Sequence, residues 1–492
     1  MTSSLNPPKN HKTEYKDFFE VTNHLATEKV DFIYRKTMIS ESNVFEKGSE
    51  DSLVSFERFD AEKTLAIYSY LKYKLPFLVD DTTKKWYLKN IRFFEKTLKK
   101  INNSTCFITP CDIFIKQVYK KIDYNGDKTV GRLYNSDSIN TLPREIRYFL
   151  FEDNYIDLDI ANAHPSLLYL YSKENNLTLN GSLSRYIKNR TMVMVDIQEE
   201  SGMDLNLVKK NVLKLLNKTW DNKPLKFSQT LTELDEDFQS IRNHLWASYC
   251  KGELKNYEQP IKQSMAKKKK VYTLDDGKIN ELKLLNLKKV SLQSFFCQTQ
   301  ESSHLIKLVK FLRQKYLSYT KENPQFSYYY PYTDKRVELG AEHTLFVIPF
   351  FDGLYLSSPC SYFMGDVSSI IEEYNKQNNG VVFVQKTIEQ RVEYMPDTNE
   401  LKKFTIINTW LGRSTTKYYL DLLLHKKNIS QKILDLLKDK SGKLGNLTDE
   451  ESLVWDNSYK EIMSTIKFEV YKILLEHDIK TENDIIKIIL NM

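Results

Sequence analysis

Cysteine is scarce in this chain: there are five in 492 residues, at positions 106, 111, 250, 297 and 360. None forms a CxxC pair or a zinc spacing with the eight histidines, so neither a disulfide framework nor a structural zinc site is expected, and a reducing compartment is. Long apolar runs are missing too. Nothing approaches the roughly 18 to 20 residues that a membrane span needs, and the opening segment MTSSLNPPKNHKTEYKD has no signal-peptide core. The expectation is a soluble, intracellular protein with no membrane partner. Ser441-Gly442-Lys443 lacks the upstream glycine and the following Ser or Thr of a phosphate loop, so no P-loop motor is expected here. No internal repeat is present.

What is present is length, charge and aromatic residues. The chain can build several subdomains around a sizeable core. With 72 Lys+Arg against 65 Asp+Glu the formal net charge is +7, an excess that suits a polyanion partner but is common among proteins that bind none. The cations are dispersed except for Lys267 to Lys270, which the pattern assigns to the loop of an insertion. The abundance of Lys, Asn, Ile and Tyr points to an AT-rich genome.

Two segments carry the chemistry. In Tyr155 to Ile160, Ile156, Leu158 and Ile160 alternate with Tyr155, Asp157 and Asp159, the period of a strand with one apolar face and one acidic face. Unpaired carboxylates are costly to bury, so these acids are expected to meet water, a cation or a substrate. Further on, Thr344 to Leu356 reads as two apolar runs pinched at Phe351-Asp352-Gly353, a hairpin signal with one carboxylate at its tip. Taken alone, Asp159 reads better as the cap of the helix that begins near Asn162, and Asp352 better as a turn residue. Asp159 and Asp352 lie 193 positions apart, and they can meet only if their strands are neighbours in one sheet.

The run from Gly131-Arg132-Leu133 through Ser136-Asp137 and Pro143-Arg144 to Arg147, then Asp159-Ile160-Ala161-Asn162-Ala163-His164-Pro165, resembles family A DNA polymerases, which carry GRLSSSDPNLQNIPVR and then DYSQIELR. The loop is one residue shorter here. The HPSLL ending looks like the reduced, transposon-virus branch of that family. Only Asp352 carries over from the family's His-Asp-Glu motif, with Phe351 in place of the His and Gly353 in place of the Glu.

The resemblance implies an α+β right-hand polymerase: an antiparallel-sheet palm, helical fingers and a helical thumb. It divides the chain into a polar extension over 1–55, thumb-like helices over 56–130, palm over 131–170, fingers with the basic insertion over 171–285, the rest of the palm over 286–400 with VVFVQKTIEQ as a closing strand, and a helical extension over 401–492. It makes Asp159 and Asp352 the catalytic ligands of two Mg²⁺ ions, with Mn²⁺ as a substitute, in a phosphoryl transfer that the protein serves mainly by positioning charge. Asp157 is expected as a neighbour at the site.

The resemblance further gives Arg132, Arg144 and Arg147 to the nucleic acid, and Ile160 and His164 to the nucleotide. His164 stands where the family has the Glu that crowds the 2′ position of the sugar. On the helical segment Leu205 to Trp220, whose apolar stripe is Leu205, Val208, Val212, Leu215 and Leu216, Lys209 or Lys210 would hold the triphosphate. Leu205 stands where the family has an Arg, a charge that Arg190 or Lys214 would have to supply. Phe295 to Leu308 resembles the template-contacting helix before the hairpin, with Gln298 and Gln300 both one residue out of register.

The expected partners are a DNA primer-template, deoxynucleoside triphosphates and a separate helicase or primase, in replication of a mobile or viral-type element. No Asp-x-Glu strand set precedes the GRL run, so no proofreading exonuclease is expected. A single-subunit RNA polymerase and a catalytically inactive nucleic-acid-binding replication factor are the alternatives.

Overall fold

The computed structural model describes residues 52–101, 106–108, 112–123, 129–151, 155–217, 228–273, 277–322, 345–358, 360–378, 380–386, 398–411, 419, 422–423, 426 and 466–492. In chain order the elements are β1 (Ser52–Asp60), α1 (Ala61–Lys74), α2 (Asp81–Ile101), β2 (Cys106–Ile108), β3 (Asp112–Asp123), β4 (Thr129–Tyr134), α3 (Arg144–Phe151), β5 (Ile156–Ile160) and α4 (Ala163–Glu174). There follow α5 (Ser182–Lys188), α6 (Arg190–Ser201), α7 (Leu205–Asn217), α8 (Gln229–Cys250), α9 (Glu258–Lys267), α10 (Lys269–Tyr272) and α11 (Glu281–Glu322). The chain continues with β6 (Phe346–Phe350), β7 (Gly353–Ser357), α12 (Ser361–Gln377), β8 (Phe383–Lys386), α13 (Thr398–Leu411) and α14 (Glu482–Asn491). Residues 466–474 are also helical. Among the described residues this is a mixed fold of helices and two small antiparallel sheets. Among the described residues no helix is long and apolar enough to cross a membrane.

In the first sheet β1 pairs along β3, and β2 and β4 follow one another along the opposite edge of β3. β1 shows why it is a strand: Leu53, Ser55, Glu57 and Phe59 are buried at alternate positions. Glu57 is an acid on the core face, and it is satisfied there. The hydroxyls of Tyr119 and Ser138 donate to it, as do the Ile139 amide at 3.2 Å and Gln117 Nε2 at 3.2 Å. Burial nonetheless pushes its carboxyl above the ordinary range. The network pins the Ser136–Ile139 turn to the sheet. β1 was expected neither as a strand nor as part of a sheet. It begins at Ser52, inside the expected extension, and the expected thumb-like helices α1 and α2 share 56–130 with β2, β3 and the start of β4. Gly131-Arg132-Leu133, expected in a loop, lies on β4.

The second sheet has the order β6-β7-β5-β8, antiparallel throughout. Pro349, which lacks an amide hydrogen, sits on the edge strand β6, where no ladder bond is lost on the outer side. The two sheets are joined through β1: the Val347 amide donates to Ser55 Oγ at 2.8 Å. α11, at 42 residues, is the long axis against which β4, α4, α8, α9 and α12 pack. The Lys267–Lys270 run, expected in a loop, lies at the junction of α9 and α10. Carboxy-terminal helices among the described residues meet α1. α13 packs on α1, with Tyr73, Phe404, Phe468 and Tyr471 in edge and tilted ring contacts. TKYYLDLLLHKKNISQKILDLLKDK, expected to be helical, lies almost wholly outside the described residues, as do residues 1–51.

Candidate active site

β5 and the β6–β7 hairpin are neighbours, so Asp159 and Asp352 come together. Leu158 pairs with Leu354 and Asp159 with Gly353, and the Ile160 amide donates to the Asp352 carbonyl at 3.0 Å. The alternation expected for β5 holds from 157 to 160, with Leu158 and Ile160 buried and Asp157 and Asp159 partly exposed. Tyr155 departs from it: its ring is buried, and its hydroxyl accepts from the Arg58 amide at 2.8 Å. Asn162, at φ 50°, ends the turn after β5 and starts α4, so Asp159 is not the cap of that helix.

Gly353 has a different role from the one a hairpin suggests. The positive φ of the turn, 54°, falls on Phe351. Gly353 is needed because a Cβ there would stand 2.4 Å from the Leu158 carbonyl oxygen and 2.9 Å from Asp159 Oδ1. Only a bare backbone lets β7 close on the first acid.

The electrostatics are those of a crowded acidic cluster with cations around it. Burial pushes the Asp352 carboxyl up and the nearby Glu301 charge adds to that, while Arg132 and His164 oppose it. Burial also raises Asp157, against the pull of Lys386, Arg144 and Arg147. Lys386, on β8 beside β5, forms an ion pair with Asp159 Oδ2.

Glu301 is the residue that the sequence reading missed. It comes from the middle of α11 with a fully buried side chain. Arg132 Nε donates to its Oε2 at 2.7 Å and the second guanidinium nitrogen to Oε1 at 3.2 Å, while His164 Nε2 stands 2.9 Å from Oε1. Burial acts to raise the Glu301 carboxyl, but the contacts from His164 and Arg132 outweigh it and hold the group below the usual range. One signal for this was available. Gly131 is a glycine inside a strand, at φ 91°, and there the Gly131 amide donates to Thr299 Oγ1 at 2.9 Å while Ser302 Oγ donates to the Gly131 carbonyl at 2.7 Å. That close approach seats α11 on β4 and Glu301 beside Arg132. The guanidinium of Arg132 also lies 4.9 Å from the Phe351 ring at the hairpin tip.

The other expected site residues fall in several places. Arg144 is exposed; it lies over the Tyr148 ring and donates to its hydroxyl at 2.7 Å. Arg147 is only 5% exposed, donates to the carbonyls of Asn140 and Leu142 at 3.0 and 3.1 Å, and lies 3.8 Å over Phe350. It ties the 139–142 turn to the hairpin. The Ile160 side chain is in the core, so only its backbone is at the site. Lys209 and Lys210 are exposed on α7, whose buried face is Val208, Asn211, Val212, Leu215 and Leu216; Leu205, expected in that stripe, is 40% exposed. Lys214 lines a groove of about 430 Å³ with Lys268, Ser294 and Gln298. Arg190 donates to Asn162 Oδ1 at 3.2 Å, at the turn that follows β5.

A second groove, of about 550 Å³, runs between α2 and the 134–142 segment. Lys85, Lys89, Arg92 and Lys96, exposed at helical spacing, line it together with Tyr134 and Ser136.

Compared with family models, curated proteins and solved structures, the chain matches none of them.

Proposed function

We propose that this chain is a template-directed DNA polymerase that adds nucleotides to a primer 3′ end, without a proofreading exonuclease, in the replication of a mobile or viral-type element. The observation that carries the reading is the pairing of β5 with β7, which sets Asp159 beside the hairpin acid Asp352 across 193 positions of sequence. In that reading the β6-β7-β5-β8 sheet is the palm, the helices from α5 to α10 are the fingers, and α1 and α2 with the carboxy-terminal helices are the thumb.

The residues fit Mg²⁺. Two carboxylates on adjacent backbone offer hard oxygen donors, and Mg²⁺ often takes no more than one or two from the protein, completing its shell with water and substrate phosphates. In this reading the protein donors would be Asp159 and Asp352. The bound ions would supply the positive charge that activates the primer hydroxyl and offsets the charge leaving with pyrophosphate. The chain itself orients. Gly353 keeps the two acids at backbone distance, the charges of Arg132 and His164 act on Asp352, and Lys386 balances Asp159 until a stronger cation arrives. The basic stripe of α2 suits the phosphates of a duplex, a term that depends on salt and not on base sequence.

One contact favours a second reading. The Lys386–Asp159 ion pair is also what a site would hold if a lysine had taken the place of a metal, as in an inactive nucleic-acid-binding factor. Extension of a labelled primer on a DNA template, with Mg²⁺ and with dNTP and NTP pools supplied separately, separates the readings. The DNA polymerase reading expects extension with dNTPs. Extension with NTPs alone would make the chain an RNA polymerase, and binding without extension in either pool would favour the inactive factor.

A further inference from the structure

We infer that Glu301 is a positioning residue of the reaction centre, holding Arg132 and His164 as one unit around Asp352; this rests on the polymerase reading above. Three distant parts of the chain converge on its carboxylate: β4 through Arg132, the first turn of α4 through His164, and α11 itself. A buried anion is expensive unless its oxygens are filled, and one arginine fork would be enough to do that. Here Oε1 accepts from the second guanidinium nitrogen at 3.2 Å and also lies 2.9 Å from His164 Nε2, a close charge contact without an aligned hydrogen bond, so the imidazole sits in the field of the same carboxylate.

The consequence for His164 is specific. Nε2 lies 2.9 Å from the carboxylate without an aligned hydrogen bond, so it is the Glu301 charge at short range that favours a proton on Nε2 and, in the neutral ring, the Nε2–H tautomer with Nδ1 as the acceptor. The His164 side chain is 23% exposed while that of Glu301 is fully buried, so the anion lies behind the imidazole and the ring remains reachable from solvent. Asp352 lies within electrostatic reach of Glu301, Arg132 and His164 alike, so whatever reacts at Asp352 reacts against this triad. On the other side, the stacking of Arg132 on Phe351 ties the unit to the hairpin tip. Glu301 acts through Arg132 and His164, whose charges act on the second acid.

The test is Glu301→Gln, which keeps the shape and removes the charge, read in three ways on the full chain. In the metal-free, ligand-free wild type, nitrogen-detected NMR of the histidine rings, assigned with His164→Ala, should show His164 as the Nε2–H species, and Glu301→Gln should convert it to a mixture. In primer extension, Glu301→Gln should lower kcat/KM by at least about tenfold, the usual cost of loosening a group that orients a reacting side chain. In a double-mutant cycle with His164→Ala, the two losses should be strongly non-additive.

A wild-type His164 found as the Nδ1–H tautomer overturns the inference whether or not the variant folds. Additive losses, or an unchanged kcat/KM at unchanged melting temperature, overturn it as well and leave the polymerase reading standing. A wild type that extends nothing with either nucleotide pool overturns the polymerase reading, and the positioning role with it.

Discussion

Replacing Gly353 with alanine tests the geometry that brings the acids together. The new Cβ would stand 2.4 Å from the Leu158 carbonyl oxygen, 2.9 Å from Asp159 Oδ1 and 3.1 Å from Asp159 Cα. β5 cannot simply retreat, because β8 holds its other edge at Leu158↔Gln385 and Asp159↔Val384. β7 must therefore open from β5 by about 1 Å to reach ordinary contact. Overpacking of this kind costs about 1–3 kcal/mol, and the weakened bond from the Ile160 amide to the Asp352 carbonyl costs about 1 more, so the loss is on the order of 3 kcal/mol. A misplacement of about 1 Å at a reacting centre costs about 100-fold in rate. Gly365 supplies the control: it is exposed on α12, and an added Cβ meets no heavy atom within 4 Å. Gly365→Ala should stabilise by roughly 0.5–1 kcal/mol and leave extension unchanged. Urea midpoints and steady-state primer extension read both variants. If Gly353→Ala proved as stable and as active as Gly365→Ala, the pairing of β5 with β7 at Asp159↔Gly353 would be wrong.

Three further outcomes follow from particular residues. Lys209→Ala and Lys210→Ala should separate: the one that holds the triphosphate raises the nucleotide KM or lowers kcat, while the other, also exposed on α7, leaves both near wild type. His164→Ala should raise ribonucleotide use relative to deoxyribonucleotide, measured as the ratio of the two kcat/KM values, and an unchanged ratio would place sugar choice elsewhere. Glu57 has a folded pKa raised by burial, so the folded chain binds that proton more tightly than the unfolded chain does. Its contribution is therefore fully present below the unfolded carboxylate pKa and is lost as pH rises through the folded one. Glu57→Gln should flatten that decline in a series of urea midpoints, and identical pH profiles for the two proteins would refute the assignment.

The sequence displayed what is local. The alternation of Asp157, Leu158, Asp159 and Ile160 marked β5, the pinch at Phe351-Asp352-Gly353 marked the hairpin, and the apolar stripe from Val208 to Leu216 marked α7. What depends on partners far along the chain stayed hidden. β1 reads as a polar stretch because Ser55 and Glu57 occupy its buried face, where the Val347 amide meets Ser55 and the Tyr119 and Ser138 hydroxyls, the Ile139 amide and Gln117 meet Glu57. Arg147 looks like a surface cation until the carbonyls of Asn140 and Leu142 and the Phe350 ring close around it. Glu301 looks like one polar residue among several in FFCQTQESSHLIKL, and only the approach of β4 at Gly131 gives it Arg132. The hairpin pattern makes Gly353 look like a turn glycine, whereas its reason is the backbone of the neighbouring strand.

The central claim is that Asp159 and Asp352 together run a metal-dependent nucleotidyl transfer. Asp159→Asn and Asp352→Asn each remove one charge without changing shape, so primer extension in Mg²⁺ is the direct measurement, paired with primer-template affinity at fixed salt. Both variants should lose extension while binding DNA nearly as tightly as wild type, because phosphate contacts dominate that affinity. Near-normal turnover by either variant, from a wild type that extends the same primer, would contradict the claim.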